Sequence, residues 1–131
     1  MRLLLDTHIA LWAIADAPNL SDKARALIDD PGNEVFVSVV SVWEIAIKHA
    51  LIRPGGAAIP IPGRDALSYF RLAEYDILDV SAAHVLALEA LPPLHADPFD
   101  RLLVAQALSM PLRLLTHDRM VAAYSDSIIE V

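Results

Sequence analysis

Five acidic residues stand where short apolar runs give way to helical patterns. Asp6 closes "RLLLD". Glu44 lies in the first turns of the pattern that follows "VFVSVV". Asp97 and Asp100 bracket Pro98 and Phe99 at the head of "DPFDRLLVAQA", and Asp118 follows "LRLLTH". Glu44 is flanked by Val42, Trp43, Ile45 and Ile47, and Asp6 follows three leucines. A carboxylate in such surroundings is costly unless something pairs with it. Carboxylates that converge also raise one another's proton affinity. A divalent cation relieves that repulsion. Mg²⁺, or Mn²⁺ in its place, takes hard oxygen ligands, keeps several waters, and makes a held water acidic enough to attack a phosphodiester. Asp6, Glu44, Asp100 and Asp118 are therefore candidate metal ligands and catalytic residues.

Each acid also has a plainer role. Asp6, Asp97 and Asp118 suit helix N-caps, and Pro98 suits a first helical position. Asp100 suits the positive end of a helix dipole. Glu44 can pair with Lys48 one turn on. The cap role suffices for Asp97, so Asp100 is the favoured ligand and Asp97 the second choice.

The elements decide whether these acids meet. Apolar runs without alternation occur at Leu3–Leu5, Val35–Val40, Ile77–Val80, Leu112–Leu115 and Ile128–Ile129. Runs apolar on both faces suit parallel strands covered by helices on each side. Helical patterns fall between them: Ile9–Ala15, Ser21–Asp29, Val42–Leu51, Asp65–Ala73, Ala82–Ala90, Pro98–Ser109 and Arg119–Tyr124. "RPGGAAIPIPGRD" reads as a loop between two helices. The alternation predicts an α/β fold with a parallel sheet, and residues 1–131 read as one domain. In such a sheet, strand C-termini and helix N-termini share one edge, where sites form. All four candidate acids fall there. Asp22, Asp29, Asp30, Glu34, Glu74, Asp76, Glu89 and Glu130 do not, and read as surface charge.

Composition narrows the function. The net charge is −7, which argues against bulk attraction to nucleic acid or an anionic membrane. Any contact with RNA then needs local cations, and Lys48, Arg101 and Arg119 neighbour the acids. Their alternative roles are salt bridges, Lys48 with Glu44 and Arg101 with Asp97. Mean hydropathy is high at +0.46, yet no run is long enough to span a bilayer. With no cysteine and no signal-like start, the expected location is cytoplasmic. The five histidines lack zinc spacing and read as core or surface residues. His8 and His117, beside Asp6 and Asp118, are weighed as general bases, and Trp12 and Trp43 read as core anchors.

Four pieces carry a family resemblance, in order and over nearly the whole chain: "LLLDTH", "SVVSVWEIAIK", "LPPLHADPFDRLLVAQA" and "LLTHDRMVAAY". Together they resemble PIN-domain ribonucleases, specifically the VapC-type toxins of bacterial toxin–antitoxin pairs. The resemblance implies a three-layer αβα fold with four or five parallel strands and a Mg²⁺- or Mn²⁺-dependent endoribonuclease. It also implies a small antitoxin partner and a homodimer. It assigns the acidic site to Asp6, Glu44, Asp100 and Asp118, and a hydroxyl position to Thr116. The loop "ALIRPGGAAIPIPG" is less lysine-rich than the family pattern. A non-catalytic PIN-like binding module is one rival reading. A receiver-type signalling domain is another, but it needs an acidic pair after the first strand and a lysine after the fifth. Here Asp6 stands alone, and "SIIEV" has no lysine.

Overall fold

A computed structural model describes residues 1–131. The chain runs β1 (Arg2–Leu5), α1 (Thr7–Ala15), α2 (Asp22–Asp29), β2 (Glu34–Ser38), α3 (Val39–Ala50), β3 (Ile52–Arg53), β4 (Gly56–Ala57), α4 (Gly63–Leu72), β5 (Asp76–Leu78), α5 (Ala82–Ala87), a 3₁₀ turn (Leu88–Ala90), α6 (Pro98–Ser109), β6 (Arg113–Thr116), α7 (Arg119–Ala122) and β7 (Ile129–Glu130). Five strands form one sheet in the order β5-β2-β1-β6-β7, and every pairing in it is parallel.

Both faces of that sheet are covered. Successive strand residues point to opposite faces. Leu3 and Leu5 therefore join Val35, Val37 and Leu115 on one side, beneath Ile9 of α1, Ala24 of α2 and Phe70 of α4. Leu4 and Leu114 turn the other way and pack on Leu103, Val104 and Ala107 of α6 and Val121 of α7. These are the three αβα layers. Cutting one of these buried leucines to alanine costs about 2–5 kcal/mol.

The strand order creates a switch point. From β1 the chain builds outward to β2 and β5, then returns to lay β6 on the other side of β1. A crevice opens where the order reverses, at the strand carboxyl ends. Asp6 and Thr116 stand at those ends of β1 and β6, and the Asp6 backbone N–H donates to the Leu115 carbonyl at 3.0 Å.

Four local features differ from the sequence reading. Helix α3 starts at Val39, because the Ser38 hydroxyl at the end of β2 caps Val40 N–H at 3.0 Å. The segment read as a plain loop contains the antiparallel β3–β4 ribbon, which turns through Gly55 and Gly56 at φ 96° and 108°. Glycine lacks the Cβ that penalises those angles. The pattern over Ala82–Ala90 divides into α5 and a 3₁₀ turn. Trp43 is not a core anchor: it is 51% exposed and meets Phe99 edge-on, with ring centroids 4.8 Å apart. Trp12 is half-buried against the core. No helix is long and apolar enough to cross a membrane.

Candidate active site

Asp6 and Glu44 form the deep part of the edge. Asp6 is the N-cap of α1, and its Oδ1 accepts from Ile9 N–H at 2.8 Å. Its Oδ2 accepts from the Thr116 hydroxyl at 2.6 Å. Thr116 Oγ1 in turn accepts from Asp118 N–H at 3.1 Å, so one hydroxyl ties the acids after β1 and β6 together. Burial raises the proton affinity of Asp6; the bonds from Thr116 and Ile9, and the nearby His8 and His117, oppose that rise. Glu44 is 2% exposed. The Thr7 hydroxyl donates to its Oε1 at 2.6 Å, and Lys48 Nζ meets its Oε2 at 2.5 Å.

Asp97, Asp100 and Asp118 form the shallow part. Asp97 is the N-cap of α6, its Oδ1 accepting from Phe99 N–H at 2.8 Å and Asp100 N–H at 3.1 Å. Asp118 caps α7 in the same way, through Oδ1 to Met120 N–H at 2.8 Å. The sequence reading set cap and ligand roles against each other. The geometry makes them compatible, since Asp6 and Asp118 each cap with Oδ1 and keep Oδ2 for another partner. Asp100, in the first turn of α6, is pushed up to about 7. Burial is the first cause, the charges of Asp97, Asp6 and Glu44 add to it, and His95 opposes it. Asp97, Asp6 and Glu44 thus all act on Asp100, while Asp118 joins the group through Thr116 and His95.

Sequence reasoning missed His95. Its Nδ1 accepts from Ala96 N–H at 3.0 Å, which puts the ring proton on Nε2. Nε2 lies 3.0 Å from Asp100 Oδ2 and 3.4 Å from Asp118 Oδ2. A ring nitrogen of His95 and carboxylate oxygens of Asp100 and Asp118 all lie within 4.8 Å of one another. The Tyr124 hydroxyl holds this loop by accepting from His95 N–H at 3.0 Å. No spacing rule flags such a residue. The only sequence signal is a histidine just upstream of the "DPFD" helix start.

The neighbouring cations divide. Lys48 pairs with Glu44. Arg101 does not pair with Asp97 but donates to the Leu91 carbonyl at 3.4 Å, tying α6 to the preceding turn. Arg119 is exposed. The donor set of Asp6, Glu44, Asp100 and Asp118 is all carboxylate oxygen, with one imidazole nitrogen beside it. That composition, and the charge gathered around Asp100, fit a hard divalent cation.

Residues 3–126 match the family model for the PIN domain. The chain is 34% identical over 127 residues to Ribonuclease VapC22 of Mycobacterium tuberculosis (strain H37Rv), covering 93% of this chain and 91% of that protein. Among solved structures, it superposes on a chain of the VapBC2 complex of Rickettsia felis, bound to a DNA fragment from its promoter. The TM-score is 0.69 at 18% identity, over 100% of this chain and 98% of the other. FitAcB of Neisseria gonorrhoeae matches with a TM-score of 0.62 at 18% identity, over 98% and 96%. At this identity the two likenesses speak to the fold alone. With a family model over nearly its whole length and a relative 34% identical across 93% of it, the chain belongs to the PIN domain family.

Proposed function

We propose that this chain is a divalent-metal-dependent endoribonuclease, the toxin of a toxin–antitoxin pair. The observation that carries the reading is the gathering of Asp6, Glu44, Asp100 and Asp118 at the sheet's switch point, where burial first, and then the charges of Asp97, Asp6 and Glu44, push Asp100 up to about 7. The relative named as a ribonuclease supports the activity. The superposed toxin–antitoxin complexes support an antitoxin partner; the same reading takes that partner to be small, the chain to be a homodimer and the location to be the cytoplasm.

The residues fit distinct tasks. Asp6, Asp100 and Asp118 would hold Mg²⁺ or Mn²⁺, with Glu44 holding it directly or through water. Thr116 fixes the free oxygen of Asp6, and Thr7 fixes Glu44. A bound divalent cation supplies an acidified water and offsets charge on the phosphodiester. His8 and His117 lie beside this edge with their rings against each other and Trp12, and the reading assigns them no proton transfer. The acids' task is to gather charge in a sheltered edge, where it acts more strongly than in water.

Cleavage of single-stranded RNA with Mn²⁺, and with EDTA, tests this. Hydrolysis by water leaves 5′-phosphate and 3′-hydroxyl ends and stops in EDTA. Products with 2′,3′-cyclic phosphate that form in EDTA would overturn the roles of all four acids.

A further inference from the structure

Three aromatic rings border the acidic edge. Ring centroids lie 5.9 Å apart for His8 and Trp12, 4.8 Å for Trp12 and His117, and 6.2 Å for His8 and His117. His8 follows Asp6 by two positions and His117 directly precedes Asp118, so the cluster flanks the crevice between β1 and β6. Core packing accounts for the inner side of Trp12. It does not account for two exposed imidazoles gathered at its ring. A cleft of about 560 Å³ opens beside them, lined by His8, Leu11, Trp12, Ile59, Pro60 and Tyr69 among others.

The charge distribution makes such rings useful. The chain carries a net −7. Of the cations near the acids, Lys48 is engaged by Glu44 and Arg101 by the Leu91 carbonyl, which leaves the exposed Arg119. A strand approaching this edge therefore finds little positive charge for its phosphates. Every base has a π-face, so stacking adds to the hold on a single strand where cations are few.

We infer that His8, Trp12 and His117 form a stacking platform that seats one nucleobase of a single-stranded RNA beside the acidic edge. The inference rests on the ribonuclease reading above and adds the positioning residues. Stacking of the base fixes the strand, so its phosphodiester is delivered to Asp6 and Asp118 with Arg119 the one exposed cation beside them. Duplex RNA, with its bases paired and stacked, is refused.

Trp12 reports on this directly. In a Trp43→Phe background it is the sole tryptophan. A short uridine oligonucleotide in EDTA is expected to quench its fluorescence, while an abasic strand with the same phosphates is not. His117→Ala and Trp12→Leu are expected to weaken binding about tenfold or more and to raise KM more than they lower kcat. Trp12→Phe retains most of the affinity. Because His117 is exposed, its variant reads out even where Trp12→Leu fails to fold. Equal quenching by the abasic strand would overturn the platform. So would an unchanged KM in His117→Ala, or no quenching by either strand; that last result would leave the cleft to a protein segment. If base-dependent quenching occurs but RNA is not cut with Mn²⁺, the platform stands and the ribonuclease reading fails.

Discussion

The two halves of the acidic edge are held in different ways. Asp6 and Glu44 are nearly sealed from solvent, and a threonine hydroxyl bonds each one's carboxylate, Thr116 for Asp6 and Thr7 for Glu44. Asp100 and Asp118 keep side-chain exposures of 23% and 37% and share the Nε2 of His95. The deep pair is fixed by sheet and helix packing before any ligand arrives. The shallow pair hangs on the start of α6, the start of α7 and a loop clipped by Tyr124. Rigidity in the first half and adjustability in the second would let the site keep a fixed anchor while it admits a bulky strand.

The largest expected effect comes from breaking the deep half. Asp6→Asn keeps the cap on α1 and removes the charge. RNA cleavage should fall by more than about 100-fold, beyond the 10- to 100-fold typical of groups that only support a ligand. Thr116→Val should stay within that supporting range. Circular dichroism checks that both variants fold. If Asp6→Asn costs no more than Thr116→Val, Asp6 is an anchor for the helix and not for a cation.

Next comes pH, which separates the halves without mutation. Asp100 sits near 7 in the metal-free protein, against about 3.9 unfolded. Between those values the native state keeps a proton that the unfolded chain has released. Stability from this group is therefore complete below about pH 4 and is lost as pH rises through about 7. The raised Asp6 acts with the same sign. In EDTA, Tm should drop by several degrees from pH 5 to pH 8, and Asp100→Asn should flatten that slope. Millimolar Mn²⁺ should restore Tm at pH 8 by binding only the native state. A wild-type slope identical to that of Asp100→Asn would mean that the shallow acids are not crowded.

What was legible in the sequence follows the same division. Asp6 could be placed because "RLLLD" is apolar on both faces, which fixes the strand and therefore its end. The caps at Asp97 and Asp118 could be placed because N-cap chemistry is local. Trp43 could not. Helix α3 buries Val40 and Ile45 yet also exposes Val39, Trp43 and Ile47, one turn apart along a second apolar stripe that Leu51 at its C-cap continues. A helix apolar on both sides does not say which stripe faces inward. The β3–β4 ribbon was hidden because its strands are only two residues long. His95 was hidden because its role depends on how the loop after Leu91 folds back to Tyr124, a contact across 29 positions.

His95 sharpens the comparison at intermediate size. His95→Ala removes the donor shared by Asp100 and Asp118 and leaves the deep pair untouched. Mn²⁺ affinity, read by calorimetry, should weaken by about tenfold, as for other groups that orient ligands. His95→Gln, which can still donate from its amide, should recover part of that loss. A loss as deep as that of Asp6→Asn would erase the distinction between the halves. No loss at all would make His95 a loop fastener only.

The smallest effect is expected at Asp97, where the question is which acid of "DPFD" serves a cation. Its Oδ1 already accepts two backbone N–H groups at the start of α6. Asp97→Ala leaves those donors unpaired and should cost about 1 kcal/mol of stability. Asp97→Asn keeps the accepting oxygen, so its stability should stay near wild type. Its charge also contributes to the raised proton affinity of Asp100. Removing that charge should therefore lower the Asp100 value and shift the pH midpoint of Mn²⁺ binding slightly downward, because protons compete less with the cation. Calorimetric titration of Asp97→Asn at pH 6 and pH 8 reads this. Equal or tighter binding at pH 6 assigns Asp97 to the helix. A collapse of binding at both pH values, matching Asp6→Asn, would move the ligand role from Asp100 to Asp97.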